Sequence, residues 1–259
     1  MLTKPDDDQD TKITAIQKAV RLLQAIVSAD QPPALADLSE QVALPKPTVH
    51  RLLLQLEEVG FVQRDLSGRA YTVGATWLRL SVDALAVRAR QPIVHGIMQR
   101  LVDTVRESCN LAVLQNQEVL YLERVECDWP LRVQLHAGSR VPIHATASGK
   151  LLIAQMSEKN RKALLRSVRR EKFTDNTIVD LDQMEEECRI IRENDLSINK
   201  EEYHRGLIGV AVPVRRADNS VIATLSIHAP SFRMSVETAL SYVPLLKKSA
   251  AEIVAELGL

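Results

Sequence analysis

The feature that most narrows the fold is one change of hydrophobic period, at Gly60. Upstream, Ile13, Ile16, Ala19, Val20, Leu22, Leu23, Ile26 and Val27 recur at spacings of three and four, the repeat of a helix face. Thr14 and Gln17 have the spacing of a capping box at its start. Pro32-Pro33 interrupts the chain, and a short second helix follows over 34–42 with Leu35, Leu38 and Val42 on one side. Pro47 predicts the start of a third helix, because the first turn has no N–H partner to lose. Gly60 predicts its end, because glycine takes the left-handed conformation that closes many helices. Beyond it, Phe61-Val62-Gln63-Arg64 and Arg69-Ala70-Tyr71-Thr72-Val73 flank the turn-forming residues Asp65-Leu66-Ser67-Gly68. Three helices followed by a two-stranded hairpin read as a winged helix-turn-helix.

The rest of the chain organises around this unit. Residues 1–11 are acidic and polar and are expected to form a disordered tail, leaving 12–74 for the winged helix. Trp77, Leu78, Val82, Leu85 and Val87 are spaced as a helix that stops at Pro92, which predicts a linker helix over 75–91. In 92–259, two strand pairs are expected, Leu111–Leu114 with Val119–Val125 and 207–214 with 221–227. Helical patterns lie at 148–156, 157–170 and 181–193, and a last helix carries a kink at Pro244. An antiparallel sheet with helices packed on it makes this half α+β.

Charge and cysteine content exclude several function classes. The 259 residues carry 33 Lys+Arg and 33 Asp+Glu, so bulk electrostatic coating of nucleic acid or a membrane is not expected. Cys109, Cys127 and Cys188 lie far apart with no CxxC pair, which suggests reduced thiols and no zinc site. With no signal-peptide pattern and no membrane-length apolar run, a cytoplasmic location is expected. The enzyme readings are weak. Ala147-Ser148-Gly149-Lys150 lacks the first glycine of a phosphate loop, His144 standing there instead. Ser197-Ile198-Asn199-Lys200 has bare S-x-x-K spacing, better explained as a turn or helix start. His95, His136 and His204 stand alone and read as surface or core residues. No catalytic residue, metal or cofactor is expected.

On the third helix, Val49, Leu52, Leu53 and Leu56 share an inward face, which turns Thr48, Arg51 and Gln55 outward together. Arg51 can donate two hydrogen bonds to guanine, Gln55 can match adenine, and Thr48 can meet a thymine methyl or a phosphate. Lys46 and the first-turn N–H groups can position phosphates, with His50 at the side. Arg64 and Arg69 straddle the wing turn and can touch phosphate or the minor groove. The basic run from Lys159 to Lys172 reads instead as a solvated helix.

The chain resembles the IclR family of bacterial transcriptional regulators. In the first half the resemblance rests on Leu35-Ala36-Asp37-Leu38-Ser39, on the run from Leu44 to Leu53, on Gly60-Phe61-Val62 and on Tyr71-Thr72-Val73-Gly74. In the second it rests on the run from Gly138 to Lys150, Glu202, Gly206 and Val210-Ala211-Val212-Pro213-Val214. The resemblance implies a winged helix, a dimerising linker helix and a GAF-like effector-binding domain. It further implies a dimer or tetramer on palindromic operator DNA, a small organic acid as effector, and RNA polymerase as a candidate partner. The effector site it implies comprises Ala147, Ser148 and Gly149 at a helix start, with Asn199, Gly209, Ser226 and His228. Asn199 replaces a common acidic residue, Gly209 leaves room and His228 adds a donor, so an aromatic acid is the expected variant. A small-molecule enzyme and a protein-interaction sensor that does not bind DNA are the alternatives.

Overall fold

A computed structural model describes residues 13–65 and 67–258. The expected tail and Leu66 of the wing turn lie outside them. Contacts divide the chain into two compact units at Asp83 and Ala84.

In the first unit, α1 (Ala15–Ser28), α2 (Leu35–Gln41) and α3 (Lys46–Glu58) precede the antiparallel pair β1 (Val62–Arg64) and β2 (Tyr71–Val73). The capping box on α1 forms as expected: Gln17 N donates to Thr14 Oγ1 (3.2 Å) and Thr14 N to Gln17 Oε1 (2.8 Å). Leu22, Leu23 and Ile26 of α1, Leu38 of α2 and Val49, Leu52, Leu53 and Leu56 of α3 make one core with Val62 and Tyr71. Not all of the apolar pattern on α1 goes inward. Ile16, Val20 and Val27 are exposed.

The helix α4 (Ala75–Ala89) runs across the division between the units. Its Trp77 packs edge-on against Phe61 with ring centroids 5.5 Å apart, while Leu78, Leu80 and Val87 are exposed.

The second unit is built on a six-stranded antiparallel sheet. Its elements are α5 (Pro92–Val105), β3 (Ser108–Gln115), β4 (Glu118–Val125), β5 (Arg140–Pro142), α6 (Ala147–Ala154), α7 (Glu158–Ser167) and α8 (Leu181–Asn194). They continue with β6 (Ser197–Lys200), β7 (Leu207–Arg215), β8 (Val221–Pro230), α9 (Val236–Ser241) and α10 (Val243–Leu257). The strand order is β5-β4-β3-β8-β7-β6, so the two expected hairpins meet in the middle through β3 and β8. β3 and β7 are buried along almost their whole length because helices cover both faces: α6 backed by α8 on one, α5 and α10 on the other.

Four expectations need correction. Pro92 starts α5 as well as limiting α4; it stands in the first turn of a helix that buries Val94, Ile97, Met98, Leu101 and Val105. Pro244 likewise opens α10, where a kink was expected. Ser197-Ile198-Asn199-Lys200 is the edge strand β6, paired with Ile208 to Ala211. In the basic run α7 ends at Ser167, and Arg161 is buried with both Glu185 carboxylate oxygens within 3.1 Å of its Nε. Among the described residues no helix is long and apolar enough to cross a membrane.

Candidate DNA-reading surface and effector pocket

α3 presents the expected division of faces. Val49, Leu52, Leu53 and Leu56 are buried, Arg51 and Gln55 are exposed one turn apart, and Thr48 is half-buried beside them. Lys46 and His50 are also exposed. The helix starts one residue earlier than predicted, with Pro45 as its cap and Pro47 at its second position. This thins the expected cluster of free first-turn N–H groups. Pro47 has none, and the amides of Thr48 and Val49 both donate to the Pro45 carbonyl, at 2.9 and 3.1 Å.

The end of α3 fixes where the wing begins. Gly60 takes φ +72°, its N–H donates to Glu57 O (3.0 Å), and Phe61 N–H donates to Leu56 O (2.8 Å), the bonding pattern of a Schellman stop. A Cβ at Gly60 would lie 2.6 Å from Thr76 Oγ1, so glycine is required there by backbone angle and by space.

In the wing the two arginines differ. Arg64 is engaged inside the unit, reaching Glu57 (3.5 Å), donating to Gly68 O (3.1 Å) and lying 5.0 Å over the Tyr71 ring. Arg69 is exposed, and its side chain makes no hydrogen bond or ion pair among the described residues. Asp65 braces the turn by accepting from the amides of Arg69 (3.2 Å) and Ala70 (3.1 Å). Those bonds, with the Ser67 hydroxyl first among them, hold its carboxyl below the usual range.

Most of the expected effector residues come together because of strand register. Directly opposed residues of an antiparallel sheet share a face. One row across the sheet is Ser197, Ala211, Ser226, Asn110 and Arg124, and the next is Asn199, Gly209, His228 and Ser108. A bulge in β4 keeps this in phase: Ala112 pairs with Tyr121 and Leu111 with Glu123, so Leu122 is skipped and Arg124 returns to the side of Asn110. Over this face lies the N-terminus of α6, capped by Thr146, whose Oγ1 accepts from Gly149 N (3.2 Å).

Ala147, Ser148, Asn199, Gly209, Ser226 and His228 line one cavity, which has about 30 Å³ of free space. Gly149 of the predicted set does not line it; a Cβ there would lie 2.2 Å from Ile143 O, so its role is to let α6 pack. Tyr121, Tyr203 and His204 also line the cavity and were not predicted. Ser148 Oγ donates to Ser226 Oγ (3.1 Å) across it.

The polarity of the lining is one-sided. Asn199 Oδ1 accepts from Glu202 N (2.8 Å), which turns its amide N–H₂ away from that bond. The first two N–H groups of α6 belong to residues lining the cavity and have no place in the helix ladder. Among the described residues no carboxylate lines the site.

Comparison with known proteins agrees with both halves. The IclR helix-turn-helix domain matches residues 15–66, and the family described as bacterial transcriptional regulator IclR C-terminal matches 83–255. A probable transcriptional regulator of Cupriavidus necator, SauR, is 38% identical over 240 residues, covering 93% of this chain and 95% of its own. The crystal structure of Thermotoga maritima IclR superposes with TM-score 0.61 at 26% identity, covering 94% of this chain and 98% of that one. An IclR homolog from Microbacterium hydrocarbonoxydans, crystallised with 4-hydroxybenzoate, gives 0.60 at 27% identity, covering 95% and 99%. The two matched domains, in this order on one chain, place the protein in the IclR family of bacterial transcriptional regulators.

Proposed function

We propose that this regulator reads operator DNA with α3 and responds to a small organic acid held beneath α6. On the DNA side, one observation carries the reading: Arg51 and Gln55 are exposed one turn apart, on a helix whose opposite face is wholly committed to the core. Arg51 and Gln55 contact base edges in the major groove, and Thr48 contacts a thymine methyl or a phosphate. Lys46, His50 and Arg69 hold phosphates. Arg64 shapes the wing that presents Arg69, since its own guanidinium is spent on Glu57 and Gly68. The chain acts in the cytoplasm as a dimer or tetramer on palindromic sites, with RNA polymerase as a further partner.

On the effector side, a lining without carboxylates and rich in donors supports an acidic ligand, with its acid group at Ala147 and Ser148 on α6. The Microbacterium homolog holding 4-hydroxybenzoate supports an aromatic acid. About 30 Å³ accommodates a water or two, so an organic acid enters when the cavity walls part, and the bound state differs from the one seen here. That difference in affinity between states couples ligand to DNA.

Sequencing genomic fragments retained by the protein tests the reading. Bound sites with two inverted half-sites spaced by about 10 base pairs or a multiple, lost with Arg51→Ala, are the expected outcome. Retention of fragments with no shared sequence would refute it.

A further inference from the structure

Arg124, Asn110 and His228 form a closed triangle of polar contacts at the sheet end of the effector pocket, of which His228 lines the pocket itself. Arg124 is a buried arginine whose Nη1 donates to Asn110 Oδ1 (2.7 Å) and whose Nη2 donates to Val133 O (2.7 Å). That orientation of Asn110 presents its Nδ2 to His228 Nδ1 (3.0 Å), so Nδ1 accepts and the ring proton sits on Nε2. His228 Nε2 in turn lies 3.4 Å from Arg124 Nη1, two N–H groups face to face. Moving the proton to Nδ1 only transfers the conflict to Asn110, and flipping Asn110 would set its N–H₂ against Arg124 at 2.7 Å. With the imidazole in this orientation one N–H of the triangle has no acceptor within it, and an acceptor added at His228 Nε2 takes that proton.

The charge balance points the same way. Glu126 lies 2.8 Å from Arg132 but 3.4 Å from Arg124, so the guanidinium beside His228 is the less closely paired of the two. Glu123, the nearest acid in sequence, is turned to the other face by the β4 bulge and lies against His95.

We propose that the effector is a diacid, one acid group at the α6 N-terminus and a second anionic group accepting from His228 Nε2–H, with Arg124 supplying the charge behind it. This rests on the effector-pocket reading above and narrows its ligand class. The two poles are bridged by Ser226, which touches Ser148 on one side and pairs with Asn110 on the other. His228 lies two residues along the strand from Ser226, about 7 Å away. That separation suits acid groups joined by a short chain or by one aromatic ring.

Calorimetric titration of the full chain with matched ligands tests this, pairing glutarate with butyrate and terephthalate with benzoate. The diacid of at least one pair is expected to bind ten times or more tighter than its monoacid. Arg124→Met is expected to erase that preference. Should Arg124→Met fail to fold, His228→Phe, which keeps an aromatic ring and removes the donor, is expected to erase it as well. Monoacids that bind as tightly as their diacids, or a preference that survives in the folded variant, would overturn the diacid assignment and leave the effector pocket standing. Absence of binding by all four acids would overturn both.

Discussion

His228 is held neutral by its surroundings. Desolvation in the enclosed site, and then the Arg124 guanidinium, push its imidazole down to about 3. An unfolded histidine titrates near about 6.5, so between these values the unfolded chain binds a proton that the folded chain refuses. The stabilisation is therefore complete above about pH 6.5 and is lost as pH falls toward 3, with a slope of at most about 1.4 kcal/mol per pH unit. His144, lowered chiefly by burial, acts in the same direction. Urea unfolding at pH 7 and pH 5 is expected to show this loss, reduced in His228→Gln; equal losses in both proteins would contradict it. Lys150 is a different kind of buried group. Its ammonium reaches Glu202 (2.6 Å), Glu187 (2.7 Å) and Ile198 O (2.8 Å). Lys150→Met strands two carboxylates and is expected to cost about 3–5 kcal/mol in denaturant unfolding. Ala147 and Ser148 were legible through the family resemblance, which the helical pattern that opens beside them supports. Arg124 and Asn110 were not readable. Their meeting depends on the pairing of β3 with both β4 and β8 and on a skipped residue in β4, none of which leaves a local pattern.

At the scale of elements, the first unit was nearly all legible because each boundary has its own chemistry. Thr14 caps α1, Gly60 ends α3, and Asp65 and Gly68 make the wing turn. Gly60→Ala is expected to cost about 1–2 kcal/mol from the left-handed angle alone, with the approach to Thr76 adding to it. A urea midpoint unchanged from wild type would contradict that account of the wing joint. In the second unit, proline misled where Pro92 was taken only as a stop and Pro244 as a kink. Pro92 and Pro244 both stand in the first turn of helices, so the same residue that ends one pattern opens the next. The edge strand β6 escaped notice because four residues are too few to establish a period.

For the whole molecule, apolar surface left over on two helices bears on assembly. Ile16, Val20 and Val27 on α1 and Leu78, Leu80 and Val87 on α4 are exposed, more than singly scattered surface residues require. Ile16, Val20 and Val27 share one side of α1, and Leu80 and Val87 one side of α4, which suits a dimer seam; Leu80→Glu with Val87→Glu is expected to shift sedimentation toward monomer, and an unchanged coefficient would remove α4 from the seam. The balance of 33 basic and 33 acidic residues leaves little bulk attraction to DNA, so in the proposed reading specificity rests on α3 and on the spacing of the proposed paired subunits. Titration of the full chain into a labelled operator duplex, with and without the organic acid, tests the central claim most directly. Operator affinity is expected to exceed that for scrambled DNA by about a thousandfold or more, to fall by about 1–3 kcal/mol in Arg51→Ala, and to change about 5- to 150-fold with the acid. Equal affinity for operator and scrambled DNA, unaltered by Arg51→Ala or by the acid, would contradict it.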